Sequence, residues 1–283
     1  MSALALLLEL TKARVTAAVT VSTAAGYLLF ARAYGPNLAY AAAGVFLLAC
    51  GACALNQVQD RAIDARMGRT AVRPLPAGRI DPASAAFIAG LLILGGLYLL
   101  ASVDRHAVEI LALAGFSVVW YNGVYTYLKR VTAFAVVPGA LVGAVPPLIG
   151  FAAAGGVITD PLILAVAAFL YVWQIPHFWL LLIRYGSEYE RAGLPSLSRA
   201  FSADALRRMT SAWLLATAAA GLAAGVVARL DVPWSLALVV ASAALAVQAV
   251  RLRDRASWPR RAFVAVTAYA MAVMLALALN AAV

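Results

Sequence analysis

Three polar side chains end a long apolar stretch at a spacing of four residues: Asn56, Asp60 and Asp64. Four-residue steps on an α-helix return side chains to almost the same face, so the spacing predicts one face with an amide and two carboxylates. Protein-bound Mg²⁺ usually takes few carboxylates and completes its shell with substrate phosphates and water. The pattern therefore predicts Mg²⁺ on Asp60 and Asp64 carrying a diphosphate, with Asn56 hydrogen-bonded to the same assembly. The alternative is a solvated loop whose acids pair with its own arginines.

Basic residues in two segments are candidates to bind the phosphate oxygens. Arg69 and Arg73 follow the aspartates at a four-residue spacing, and Lys129 and Arg130 end a later apolar run. A planar guanidinium matches the geometry of phosphate oxygens. We therefore predict that all of them contact the diphosphate. Lipid headgroups are the alternative partner of the second pair.

A second acidic segment, RYGSEYERAGLP, carries Glu188 and Glu190. These carboxylates have two functional interpretations, as ligands of a second Mg²⁺ or as groups that position basic residues. An ordinary charged loop is the alternative.

The stretch YVWQIPHFW, residues 171–179, places Gln174 and His177 inside an apolar run. Polar groups at membrane depth are costly and usually face an interior cavity. His177 can ligate iron, hydrogen-bond a substrate carboxylate or act as a base, and a histidine satisfied by a neighbouring helix is the alternative. Pro176 predicts a kink. Tyr125, near the end of an earlier run, can line a cavity or belong to an interfacial aromatic belt.

The elements that must position these residues are transmembrane helices. Hydrophobic residues make up 65% of the chain and charged residues 12%, against about 25% charged in soluble domains. The mean hydropathy is +0.91. Continuous apolar runs of this length form helices that cross about 30 Å of hydrocarbon. We predict an all-α, polytopic membrane protein with a single domain, 1–283, and nine spans: 15–34, 37–58, 82–103, 106–127, 131–155, 161–183, 209–228, 232–250 and 262–282.

The distribution of positive charge predicts the orientation. The net charge is +10, but its placement argues against a nucleic-acid partner. Of the 22 lysines and arginines, all but Arg32, Arg105 and Arg229 fall on one side of the nine-span arrangement. The positive-inside rule then places the N-terminus in the cytoplasm and the C-terminus outside. The long loops 59–81 and 184–208 should lie side by side over the cytoplasmic mouth of the bundle.

Two cysteines, Cys50 and Cys53, fall inside the second predicted span. Their spacing also suits a redox pair. We interpret them as small apolar packing residues, because cysteines buried in a membrane protein are usually inert.

Six blocks of the sequence together carry a family resemblance: LTKARVT (10–16), NQVQDRAIDARMGRTAVRPLPAGRI (56–80), YTYLKRVT (125–132), GAVPPLIG (143–150), WQIPHF (173–178) and EYERAGLP (188–195). They resemble the UbiA superfamily of intramembrane prenyltransferases, and within it the protoheme IX farnesyltransferases, or heme O synthases. The chain departs from the heme family's pattern at Ala13 (usually proline), at Ala135 (usually asparagine) and at 196–198, where Ser-Leu-Ser replaces Met-Leu-Pro. The Thr and Gln usual at the start of span seven are not evident in ADALRRMT.

The resemblance implies a UbiA-type bundle with a cytoplasm-facing cavity in a bacterial-type inner membrane. It implies Mg²⁺-dependent transfer of a farnesyl group from farnesyl diphosphate to a vinyl group of heme B, with addition of water. By the same resemblance the acceptor is expected to contact Trp173, Gln174, His177 and Tyr125, and a heme A synthase is a candidate partner beside membrane lipid. The alternatives are a UbiA enzyme acting on an aromatic quinone precursor, a membrane transporter, and a heme-binding protein without transferase activity.

Overall fold

A computed structural model of the chain describes residues 2–251 and 258–282, and all regular elements in these ranges are helical. A π-helical segment, Val119–Tyr125, joins two of the helices. The α-helices are α1 (Ala3–Leu10), α2 (Ala13–Ala31), α3 (Pro36–Asp64), α4 (Pro82–Ala101), α5 (Ala107–Val118), α6 (Thr126–Leu128), α7 (Val136–Gly139), α8 (Leu141–Ala153), α9 (Pro161–Arg191), α10 (Leu197–Ala200), α11 (Ala203–Val227), α12 (Val232–Val250) and α13 (Trp258–Ala282).

Nine stretches within the described ranges are long and apolar enough to cross a membrane, which confirms the predicted fold class and number of spans. The ends differ most where a helix leaves the apolar region. Both α3 and α9 continue past their predicted ends, 58 and 183, to Asp64 and Arg191. Hydropathy marks where hydrocarbon ends, whereas helical hydrogen bonding continues into the polar region. Of the basic residues used for the orientation, Arg253 and Arg255 lie outside the described residues.

Two predicted spans are not single α-helices. The stretch 106–127 consists of α5, the π-helical segment and α6, whereas 131–155 contains the short α7 followed by α8. Helix α8 includes Pro146 and Pro147. Hydropathy patterns detect apolar length but not these local changes in hydrogen bonding.

Close packing brings α2 against α8. A β-carbon at Gly26 would clash with the backbone of Pro147, and one at Gly150 would clash with the carbonyl oxygen of Thr23. The absence of side chains at these two positions lets the helix backbones approach, as small residues do in membrane bundles. The contact holds α8 beside α2 and forms part of the wall of an internal cavity.

Helix α9 has a kink near its end, at a position that the sequence did not indicate. Pro176 lies within the helix, and the backbone leaves helical torsions at Tyr185, with φ −114° and ψ 16°. The turn after this residue brings Glu188 to the residues that follow α3.

Candidate active site at the end of helix α3

A cavity of about 480 Å³ lies between the helices and is polar at one end. Its apolar lining comes mainly from α2, α3, α5, α8 and α9. We use "the polar end" for its charged lining residues, which are Lys12, Asp60, Asp64, Arg69, Arg73 and Lys129. Cations outnumber carboxylates here, so the polar end suits an anionic ligand.

The predicted polar face on α3 is present. Asn56, Asp60 and Asp64 are each 3% exposed and all line the cavity. The amide of Asn56 donates from Nδ2 to Asp60 Oδ2 over 2.8 Å, which requires the two side chains to share a face. The continuous helix up to Asp64 therefore presents two carboxylates and one amide to the same space.

Cations neutralise both carboxylates. Lys129 forms an ion pair with Asp60, and Arg130 Nη2 lies 3.3 Å from the other oxygen of that carboxylate. Arg73 Nη1 pairs with Asp64 Oδ2 at 2.7 Å. Buried carboxylates need such compensation, because an unpaired buried charge is strongly unfavourable. Three of the predicted diphosphate ligands thus lie at the aspartates.

Lys12 is a site residue that we did not predict. Its ammonium group donates to Asn56 Oδ1 over 2.8 Å, and it lines the cavity. Burial lowers the pKa of Lys12, and the positive charges of Arg73 and Lys129 lower it further, against the opposing influence of Cys53. Its position in the LTKARVT block was the available signal.

The π-helical segment and the first residue of α6 hold the other side of the aspartate face. Thr126 Oγ1 accepts a hydrogen bond from Asn56 Nδ2 at 3.0 Å and donates to Tyr121 O over 2.8 Å. Asn122 Nδ2 donates to Gln59 Oε1 over 3.1 Å. π-Helical turns are frequent at functional sites, but no periodicity in the sequence indicated this one. The contacts fix the end of α3 relative to Lys129 and Arg130.

The two long loops lie side by side, as predicted. Met67 packs in one buried cluster with Ala192 and Leu194. The backbone N–H of Arg69 donates to Glu188 Oε2 over 3.3 Å. The residues after α3 and the end of α9 thereby form one polar wall of the cavity.

Glu188 and Glu190 are not brought to the aspartates. Neither lines the cavity, and Glu190 accepts a hydrogen bond from Ser198 Oγ at 2.7 Å. In the part of the chain that the structure describes, no three His, Cys, Asp or Glu residues are grouped to hold a metal ion. Glu188 instead accepts from the backbone of Arg69 at the polar end, which matches the functional interpretation in which a glutamate positions a basic residue.

The four residues predicted to contact the acceptor separate into two sets. Gln174 and Tyr125 line the cavity. Trp173 and His177 do not, and both contact α13. Trp173 Nε1 donates to Val266 O over 2.9 Å.

His177 is satisfied by a neighbouring helix. Its Nδ1 lies 3.1 Å from Thr267 Oγ1, and its ring centroid is 4.6 Å from that of Phe263. Thr267 donates its proton to Phe263 O, so Nδ1 of His177 is the donor in their contact. The structure therefore gives this histidine the interhelical role that was the alternative from sequence.

Tyrosines and a cysteine complete the wall near the aspartates. Tyr121 and Tyr125 stack with ring centroids 5.8 Å apart, and both line the cavity. Cys53 also lines it, and the thiols of Cys50 and Cys53 are free and buried. The aromatic faces can stabilise positive charge that develops beside them.

The site can hold a divalent ion and a polyanion together. Asp60 and Asp64 supply hard carboxylate oxygens on one helix face, and they are the acids among the described residues that line the cavity. This donor set fits Mg²⁺, whose remaining positions phosphate oxygens and water fill. The surrounding cations then match the excess negative charge of a diphosphate.

Comparison with known proteins identifies relatives over most of the chain. The model of the UbiA prenyltransferase family matches residues 17–272. The chain is 39% identical over 221 residues to a protoheme IX farnesyltransferase of Geobacter sulfurreducens, covering 77% of this chain and 81% of that protein. It is 38% identical over 289 residues to one of Anaeromyxobacter sp., covering 97% and 93%. For one of Oleidesulfovibrio alaskensis the identity is 42%, and the match spans just under two thirds of either chain, 64%.

Solved structures share the fold at low identity. Digeranylgeranylglyceryl phosphate synthase superposes with a TM-score of 0.80 at 14% identity, covering 100% of this chain and 99% of that one. A UbiA homolog from Archaeoglobus fulgidus, solved bound to DMAPP and Mg²⁺, gives a TM-score of 0.71 at 11% identity, with coverages of 98% and 99%.

Proposed function

The chain belongs to the UbiA prenyltransferase family, and we propose that it transfers a farnesyl group from farnesyl diphosphate to a vinyl group of heme B. Water is added in the same reaction, and the products are heme O and diphosphate. The names of the relatives support the heme acceptor over an aromatic quinone precursor. The observation that most directly supports transferase chemistry is the aspartate face of α3. It is buried, lines a largely apolar cavity and is surrounded by cations.

Mg²⁺ is the proposed cofactor, and Asp60 and Asp64 are the residues that would hold it. When bound, it supplies positive charge that stabilises the departing diphosphate. Asn56 holds the Asp60 carboxylate in place through the 2.8 Å hydrogen bond from its amide. This contact gives Asn56 a positioning role.

Three cations of the polar end would bind the diphosphate directly. Lys12, Arg73 and Lys129 line the cavity and surround the aspartates. Their charges are fixed before the reaction begins, so they stabilise negative charge as it develops on the leaving group. Arg130 donates hydrogen bonds to Gln59 O and to Asp60 Oδ1. These two bonds hold both the Asp60 side chain and the backbone of the preceding residue.

The apolar part of the cavity suits the allylic fragment. As the bond between farnesyl C1 and the diphosphate oxygen breaks, C1 gains cationic character. The rings of Tyr121 and Tyr125 lie on the cavity wall near Asp60 and can support this charge. Exclusion of bulk water by the apolar lining limits hydrolysis of the fragment.

The bond changes balance with one water molecule. The terminal vinyl carbon of the acceptor forms the new bond to farnesyl C1. The adjacent carbon becomes cationic and accepts a water oxygen, whose proton is released. The cavity must therefore admit water beside the vinyl group after the new bond has formed.

The proposed location is a bacterial-type inner membrane, with the N-terminus and the polar end in the cytoplasm and the C-terminus outside. The positive-inside distribution supports this orientation. Contact with a heme A synthase would let the product pass onward without leaving the membrane.

Mass spectrometry of heme tests the function. The purified protein is incubated with heme B, farnesyl diphosphate and Mg²⁺, with an aromatic quinone precursor offered in a parallel reaction. We expect heme to gain the mass of a farnesyl group plus water. Prenylation of the aromatic acceptor alone would contradict the heme assignment. Consumption of neither acceptor would contradict transferase activity.

A further inference from the structure

Two arginines stack on one aromatic ring at the edge of the cavity. The guanidinium carbons of Arg69 and Arg184 each lie 5.2 Å from the centroid of the Tyr185 ring. Among the described residues, neither guanidinium forms an ion pair with a carboxylate. Both arginine side chains are exposed. The ring therefore holds two positive charges close together without a protein anion to neutralise them.

Tyr185 connects this pair of arginines to the apolar interior of the cavity. It occupies the position where the backbone of α9 leaves helical torsions, and it lines the cavity. The same wall continues from Tyr185 along α9 as Leu182, Leu181, Phe178 and Gln174. An apolar strip thus leads from the interior to a site with two cations.

We propose that Arg69 and Arg184, held by Tyr185, bind the carboxylates of a flat, apolar acceptor that lies along the α9 strip. This inference rests on the proposed function, because heme B has two propionate groups on one edge and vinyl groups elsewhere on an apolar ring. The planar guanidinium groups match carboxylates geometrically. Anchoring the acidic edge at Tyr185 leaves the rest of the ring in contact with the apolar wall.

Arg69 and Arg73 have different partners, although the sequence pattern assigned both to the diphosphate. Arg73 pairs with Asp64 at 2.7 Å, whereas Arg69 stacks on Tyr185 of α9. The neighbouring carboxylate of Glu188 accepts a hydrogen bond from the backbone N–H of Arg69, so it holds the segment through the main chain and not through the guanidinium. Arg69 and Arg73 therefore serve opposite sides of the reaction.

The experiment is a spectroscopic titration of the purified full-length protein in detergent, without prenyl donor. Protoheme IX and its dimethyl ester, in which both carboxylates are methylated, are compared as ligands. The variants are R69Q, R184Q and the double variant, and R191Q is the matched control. Arg191 is an exposed arginine on the same helix that donates to Ser187 O within that helix.

Wild type and R191Q should bind protoheme about tenfold more tightly than the dimethyl ester, as expected for charge-assisted hydrogen bonds. Each single substitution should weaken protoheme binding about threefold, and the double variant should bind the two ligands equally. The Kd of the dimethyl ester should not change between variants. In turnover assays the double variant should raise KM for protoheme and leave KM for farnesyl diphosphate unchanged.

Preserved preference for the free acid in the double variant would overturn the inference, as would equal weakening of both ligands. A raised KM for farnesyl diphosphate in R69Q would return that residue to the diphosphate. Intact discrimination without any turnover would refute the proposed function and leave the carboxylate site standing. Absence of protoheme binding to wild type would refute both.

Discussion

Two polar stretches inside apolar helices were candidates for chemistry, and the fold treats them differently. The one on α3 brings Asn56, Asp60 and Asp64 to a single cavity. The one on α9 divides, since Gln174 faces that cavity while Trp173 and His177 contact α13. A polar residue at membrane depth therefore faces an internal cavity in one case and a neighbouring helix in the other.

Helical spacing explains the difference. The α3 residues repeat every four positions, and so do Trp173 and His177, whose ring centroids are 5.0 Å apart. Gln174 is one position after Trp173, which rotates it by about 100° on a helix with 3.6 residues per turn. The sequence spacing therefore separates these residues into two faces of the helix. It does not indicate which of the two faces the cavity.

The strongest test of the α3 face is removal of its charge. D60N and D64N should each lower kcat by about 10³-fold, because they remove the proposed metal ligands and the stabilisation of the leaving group. The rate of heme O formation measures the effect, and size-exclusion elution in detergent checks folding. Rates close to wild type in both variants would show that the buried carboxylates only pair with the nearby cations.

The role of Lys12 can be tested by pH. An ordinary lysine has a pKa of about 10.4. Burial lowers the pKa of Lys12, so this ammonium loses its proton at a lower pH. In the proposed function the protonated form binds the diphosphate, so KM for farnesyl diphosphate should rise about tenfold as Lys12 loses its proton, at a lower pH than an ordinary lysine would require. K12R keeps its charge and should show a flat profile. The same alkaline rise in K12R would assign the titration to another group.

The cavity face of α9 should respond through acceptor binding. Q174L should raise KM for the acceptor about fivefold without changing KM for farnesyl diphosphate, as expected for loss of one hydrogen-bonding group. A matched change is G143A, whose β-carbon would clash with the Gln174 amide and displace it. Steady-state kinetics with each substrate varied separately would check both variants. Equal effects on both substrates would indicate a general loss of packing.

The other face of α9 should respond through stability. H177A removes the contacts to Thr267 and Phe263, so the free energy of unfolding should fall by about 1–3 kcal/mol. Both KM values should stay within about twofold of wild type, because the face of α9 that carries His177 packs on α13 and does not line the cavity. Thermal unfolding in detergent measures the loss. A changed heme spectrum with unchanged stability would restore His177 to the acceptor site and remove the contrast between the two faces.

Much of the candidate site was predictable because local spacing determines it. Asn56, Asp60 and Asp64 share a face through helix geometry alone. Arg73, Lys129 and Arg130 lie at the aspartates as their charge and motif positions indicated. Lys12 and Thr126 were missed because each reaches Asn56 from a distant segment. Their contacts depend on how the start of α2 and the start of α6 pack against α3.

The sequence by itself determined that the chain is a bundle of transmembrane helices and that α3 carries one face with an amide and two carboxylates. These properties follow from hydrophobic length and from the helical period, which act over neighbouring residues. Only the tertiary structure decided that Gln174 faces the cavity while His177 contacts α13, and that Arg69 stacks on a ring of α9 instead of pairing with Asp64. Those choices depend on the rotation of each helix about its own axis, which packing against other helices sets.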